Sequence, residues 1–243
     1  MASSSNTNPG AAAVTPSFPE LLGTEIVELF IGKEKKLLRV HKALLCQKVP
    51  YFAKMFQGGF KEAAENSATF PDDSEESFGL LIEWVYTGKV RPLAEISIDK
   101  VLAANWSMIN FYTLAEKICL TNLKDQILDC HRLYQTGRNE LWDFPRMRKA
   151  WNTTAENSGL RRYAKDSLIY IFMAAKHPSA LTTWTTSGLV EMAVEDNQLF
   201  VLTLDAIRTH SHDGTKPTDP RQAATCHYHS HGKDEVCLVK KAV

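Results

Sequence analysis

Two thiols and three imidazoles gather between residues 226 and 237, in Cys226-His-Tyr-His-Ser-His231 and the following Cys237. Zinc takes four soft or borderline donors in a tetrahedron, and Cys226, His229, His231 and Cys237 can supply a Cys2His2 set. His227 can replace either of the other two histidines, so spacing alone leaves the ligand set open. The pattern matches no standard finger, which uses two tight pairs separated by a longer loop. Four protein donors leave no open position, so the metal would be structural, ordering a stretch with almost no core of its own. The plain alternative is a solvated tail that is rich in histidine by composition. His210 and His212 lie just upstream, and Lys240-Lys241 is too short a basic run to imply nucleic-acid binding.

Elsewhere the catalytic templates are absent: no phosphate-cradling Gly-rich loop, serine elbow, His-Glu-x-x-His or dinucleotide fingerprint occurs. His41 has no Cys, Ser or acid nearby that completes a site with it, and it reads as a structural histidine bonded to its turn. Cys46 falls on the apolar face of a helix and reads as a buried, inert thiol. Asp72-Asp73 and Glu75-Glu76 open a helix, where capping and the positive helix terminus explain them.

The elements that carry these residues follow from periodicity. Val27, Leu29 and Ile31 alternate along a strand, a polar turn follows at residues 32–35, and Leu38 and Val40 mark a second strand, making a hairpin. Ala43, Leu44 and Leu45 begin a short helix. Pro50 stops it and starts another, which carries Phe52, Met55 and Phe56 and breaks at Gly58-Gly59. Residues 67–70 are extended. Phe78, Leu81, Ile82 and Val85 recur at helical spacing up to Gly88. One further helix is predicted over residues 98–120 and another over 121–134, the latter with Leu123, Ile127, Cys130 and Tyr134 in line. Thr136 to Asn139 reads as a joint. Beyond it, Leu160, Ala164, Leu168, Ile171, Phe172 and Ala175 form one helical stripe. Leu189, Met192, Ala193, Phe200 and Leu204 suggest a second. After His210 the composition shifts to that of a linker.

Composition narrows the function. The chain has 243 residues, 28 Lys+Arg against 28 Asp+Glu, and a formal net charge of zero. A general nucleic-acid binder carries a basic excess, so nucleic acid is not an expected partner. The balance gives no reason to expect binding to an anionic membrane, and no apolar run approaches the roughly 20 residues that span a bilayer. Five scattered cysteines make no disulfide framework and suit a reducing compartment. The first residues lack the charged start and apolar centre of a secretory signal, so an intracellular protein, cytoplasmic or nuclear, is expected. Residues 1–20 are poor in bulky apolar side chains and read as a disordered arm.

Three motifs in order carry a resemblance. Val40-His-Lys-Ala-Leu-Leu-Cys-Gln-Lys-Val-Pro-Tyr-Phe-Ala-Lys-Met-Phe56, then Gly59-Phe-Lys-Glu62, then Leu81-Ile-Glu-Trp-Val-Tyr-Thr-Gly-Lys89 resemble a BTB/POZ domain over residues 21–135. Trp151-Asn-Thr-Thr-Ala-Glu-Asn-Ser-Gly-Leu-Arg-Arg162 is similar to the extension common in BTB proteins of filamentous fungi. The resemblance implies an α+β fold, a small sheet with surrounding helices, followed by a mostly helical extension over 139–209 and a linker with a Cys/His-rich tail over 210–243. It implies no enzyme. It implies an interaction module, often dimeric, that serves as a substrate adaptor for a cullin-based ubiquitin ligase, or else a self-associating nuclear regulatory scaffold with a small metal-binding tail. In cullin-binding members an apolar residue, any residue and a Glu after the second helix form the contact, which here falls on Phe60, Lys61 and Glu62. The family also pairs an acid at the first strand with a base after the histidine. Here those positions hold Glu25, His41 and Lys42, and the acid is a Glu where many members have Asp.

Overall fold

The structure, a computed structural model, describes residues 17–97, 100–103, 106–176, 180–195, 197–232 and 234–239. Most of the arm expected over residues 1–20 lies outside them. Its last residues do not fit that reading, because Phe18–Leu22 form a helix, α1. The reason is local: Glu20 accepts from both the backbone N–H and the hydroxyl of Ser17, at 2.7 and 2.8 Å. Such a capping box closes a helix start that composition alone does not reveal.

A three-stranded sheet follows in the order β2-β1-β3. Strand β1 (Ile26–Ile31) pairs antiparallel with β2 (Lys36–His41), setting Val27 opposite Val40, and parallel with β3 (Ser67–Phe70). Alternation drives Val27, Leu29 and Ile31 inward, where all three are fully buried. Gly32 takes φ +72° in the hairpin turn and accepts from the Lys35 N–H. That left-handed backbone is what glycine adopts without strain.

Between β2 and β3 come α2 (Lys42–Lys48), α3 (Pro50–Gln57) and α4 (Lys61–Glu65). Helix α5 (Glu75–Thr87) comes next, capped by Ser74 and stopped by Gly88 at φ +70°. Phe52, Phe56, Phe70 and Phe78 form an aromatic cluster between these helices and the sheet, with Phe70 and Phe78 centroids 4.8 Å apart. Cys46 is buried there, and burial pushes its thiol pKa up.

The helix expected over 98–120 is shorter than its apolar pattern suggested. Ala94–Ser97 (β4) and Lys100–Ala103 (β5) form a two-stranded ribbon instead. Helix α6 begins only at Met108 and runs to Lys117. Ser107 explains the start, since its hydroxyl accepts from the Asn110 N–H. A cap inside an apolar run overrides the run.

Helix α7 (Thr121–Arg138) is continuous for 18 residues. The joint expected at 136–139 is its last turn, closed by Asn139 in the left-handed conformation. Beyond it lie α8 (Phe144–Thr153), α9 (Gly159–Met173), α10 (Ala180–Thr183), α11 (Thr186–Glu195) and α12 (Asn197–His212). One apolar core runs without interruption from Val27 in β1 to Leu199 in α12 and on to Tyr228. Leu160, Ala164, Leu168 and Ile171 are buried as their spacing implies, but Phe172 is partly exposed. In α12 the buried pair is Leu199 and Thr203, and Leu204 faces out, one position off the expected stripe.

The largest departure concerns residues 210–243. Helix α12 continues to His212, and short 3-10 turns at Pro220–Gln222 and Thr225–Tyr228 then pack back onto α7 and α9. Among the described residues, no helix is long and apolar enough to cross a membrane.

Candidate functional site

Two places in this fold hold the residues that the sequence singled out. The first is the surface after α3. Gly58 and Gly59 end that helix, and Phe60 caps α4 with an extended backbone. Phe60 is 60% exposed, whereas Phe52 and Phe56 are buried just before it. A Cβ on Gly58 would stand 3.1 Å from Phe60 Cδ2, so the bare glycine leaves room for the ring to lie against the turn. Glu62 sits in the first turn of α4, half-buried. Lys61 is exposed and pairs with Glu65 at 3.5 Å. An exposed aromatic with an acid at its rim is suited to fill and orient against a partner's groove.

Behind this surface, the end of β2 is tied down by polar contacts. The Glu25 carboxylate reaches Lys42 Nζ at 3.0 Å, and the same ammonium donates to Asn66 Oδ1 at 2.9 Å. His41 Nδ1 lies 2.6 Å from the Tyr86 hydroxyl, which also accepts from the His41 backbone N–H at 3.2 Å. With its oxygen taken by that N–H, the Tyr86 hydroxyl donates to Nδ1, and the imidazole is a structural partner of its turn.

The second place is the tail. Cys226 and His229 share the turn at Thr225–Tyr228, and His231 and Cys237 return to meet them. One donor atom from each of the four lies within 4.8 Å of every other. His227 is outside the group: it faces Asp166 at 3.6 Å and stands edge-on to Tyr228. His210 is also elsewhere, bonded to Thr215. The side chain of His229 is fully buried, with Nε2 2.9 Å from Asp129 Oδ2. Burial works against a charge there, but the Asp129 carboxylate prevails and holds the imidazole above its usual range.

A family model described as BTB/POZ domain matches residues 24–126. Those residues are a BTB/POZ domain. The chain is 33% identical over 94 residues to Kelch repeat and BTB domain-containing protein 6 from Homo sapiens, a match covering 36% of this chain and 14% of that protein. It is 26% identical over 152 residues to Kelch-like protein 30 from Mus musculus, covering 58% and 25%. With BTB/POZ domain-containing protein 9 from Homo sapiens it shares 27% over 106 residues, covering 43% and 16%. The chain thus spans a quarter or less of these relatives. The BTB domain supplies the α+β fold, with Phe60 on its surface and the β1–β2–β3 sheet within it.

The Cys/His cluster lies beyond the BTB domain yet leans on it through α7. Ser230 donates its N–H and hydroxyl to Asp125 Oδ1 at 2.9 and 3.1 Å. Arg132, also on α7, donates to the backbone oxygens of Arg221 and Ala223 and stands over the Tyr228 ring. Asp125 and Arg132 are buried beneath the tail, and His131 and Gln135 are buried on the same helix against Trp142 and Tyr163. Sequence reasoning missed this polar face. Its only available signal was the helical spacing of the four, which elsewhere describes a solvated stripe. Gly159 was missed too: a Cβ there would overlap the Tyr228 carbonyl oxygen.

Proposed function

We propose that this chain is an interaction adaptor, whose BTB domain binds a cullin scaffold through Phe60 and Glu62 while the helices from about residue 139 onward shape a surface for a substrate protein. The work is then proximity rather than chemistry at this chain. The observation that carries the reading is Phe60 itself. It is a large aromatic left 60% exposed beside a core that buries its neighbours Phe52 and Phe56. Likeness to Kelch-repeat BTB proteins supports an interaction role of this kind. Self-association and an intracellular setting remain part of the same proposal, and light scattering of the full chain at twice its mass would support a dimer.

Calorimetric titration of the full chain with the N-terminal half of a BTB-binding cullin tests it. Binding is expected, and Phe60→Ala should lose at least tenfold in affinity, or about 1.4 kcal/mol, with its thermal unfolding unchanged. No binding at tens of micromolar would overturn the cullin reading. The other reading, a nuclear regulatory scaffold whose tail is a metal module touching DNA, has less support. The cluster is turned inward onto α7, and net charge is zero. Salt-dependent DNA binding would restore it.

A further inference from the structure

Two of the donor separations in the tail are those a tetrahedral metal would impose, and all four donors lie within 4.8 Å of one another. Bonds of about 2.05 Å to nitrogen and about 2.3 Å to sulfur at tetrahedral angles put two nitrogens roughly 3.3 Å apart and a nitrogen and a sulfur roughly 3.5 Å apart. His229 Nδ1 lies 3.3 Å from His231 Nε2, and Cys237 Sγ lies 3.5 Å from His229 Nδ1. The outer nitrogens agree. His229 Nε2 meets the Asp129 carboxylate at 2.9 Å, and His231 Nδ1 meets the Gly232 carbonyl at 2.9 Å. Both outer partners are acceptors, so each ring carries its proton outward. That turns two bare nitrogen lone pairs and the thiols toward one centre. Such a centre is suited to a cation, and ligating histidines are oriented in this way by carboxylate and carbonyl partners. A cleft of 420 Å³ lined by Glu116, Lys124, Arg162, His229 and His231 gives a solvent path to it.

We infer that Cys226, His229, His231 and Cys237 hold one zinc ion, and that this ion staples residues 225–237 onto the buried polar face of α7. Thiolate and imidazole donors in a closed tetrahedral set suit zinc, and four protein donors leave no position for substrate. The stapling role follows from what the ligands touch. His229 reaches Asp129, its neighbour Ser230 reaches Asp125, and Arg162 of α9 donates to the His229 carbonyl at 3.1 Å. The tail has little core of its own: among its described residues, all but Pro220, Tyr228 and His229 are only partly buried or exposed. The metal supplies the cross-link that apolar burial does not. The inference is independent of what binds Phe60.

The test is elemental analysis of the full chain, purified without chelator, with cobalt exchange beside it. About one zinc per chain is expected, and the cobalt form should show tetrahedral thiolate absorption that Cys237→Ser removes. Asp129→Ala keeps all four donors and should weaken zinc binding by about 10- to 100-fold in competition with a chelator. It keeps the site testable should Cys237→Ser fail to fold. Zinc far below one per chain after incubation with the metal would overturn the site. So would thiol counting that finds Cys226 and Cys237 joined as a disulfide. Zinc removal should also speed amide exchange over residues 225–231. Unchanged exchange with zinc bound and then stripped would overturn the stapling role.

Discussion

The carbonyl oxygen of Tyr228 occupies the space where a Cβ on Gly159 would stand. Gly159 is the first residue of α9, directly after its Ser158 cap, so the tail backbone runs across the start of a helix. The only side chain that permits this approach is a hydrogen atom. Gly159→Ala should therefore cost about 1–3 kcal/mol, read as a lower urea midpoint. Gly79→Ala, in α5 with nothing within 4 Å of the new methyl, is the internal control and should be neutral or slightly stabilising.

Two phenylalanines eight residues apart should respond in opposite ways. Phe52 is fully buried against Phe56, Phe70 and Phe78. Its replacement by Ala should cost about 3–5 kcal/mol in chemical denaturation. Phe60→Ala removes a mostly exposed ring and should change stability by no more than about 0.5 kcal/mol. A large stability loss at Phe60 would move that ring from partner contact to structural packing.

The Glu25–Lys42 pair should contribute little as an ion pair, because the Glu25 side chain is 64% exposed. Glu25→Ala should cost below about 0.5 kcal/mol. Lys42 is mostly buried and holds Asn66, which sits at φ +49° as the cap of α4. Lys42→Ala should cost more, on the order of 1 kcal/mol, and a double-mutant cycle with Asn66→Ala should show the coupling.

His131 should make stability depend on pH. It is buried on α7, where its Nε2 accepts from the Trp142 indole N–H. Burial, with the nearby Arg146 charge, pushes its pKa down to about 3. In the unfolded chain the same group titrates near its ordinary value of about 6.5. Between those values the unfolded chain binds the extra proton. Stability should therefore fall as pH drops from about 6.5 toward 3, by a few kcal/mol over the whole window. His131→Leu orphans the Trp142 N–H and should be less stable at pH 7. Its urea midpoint should nonetheless vary less between pH 7 and 5 than that of the unaltered chain.

Much of the BTB domain was legible from residue order. Val27, Leu29 and Ile31 alternate because one sheet face is buried, and Ser74 and Gly88 bracket α5 as caps do. The Cys/His-rich stretch was also legible, but not which of its histidines the fold keeps apart from the two cysteines. Only the fold turns His227 toward Asp166 and His229 toward Asp129. Apolar pattern misled at residues 100–103, because Val101 and Leu102 suit a ribbon as well as a helix, and a single Ser107 decides where α6 starts. The polar face of α7 was illegible for a different reason. Asp125, Arg132 and Gln135 are buried by partners from distant segments: Ser230, the Ala223 carbonyl and the Tyr163 hydroxyl, which donates to Gln135 Oε1 at 2.5 Å. Helical periodicity reports hydrophobicity, and this face is covered through hydrogen bonds instead.

The same long reach has a bearing on biosynthesis. Asp125 and Ser230 are separated by 105 positions. At about 5–20 residues per second, a ribosome needs on the order of 5–20 seconds to cover that interval. Throughout it, α7 can fold with the nascent BTB domain while its buried acid and arginine still face water or a chaperone. Closure of that face is a late event in the birth of the molecule, and a ribosome stalled before residue 226 would release a chain with a complete sheet and an open flank.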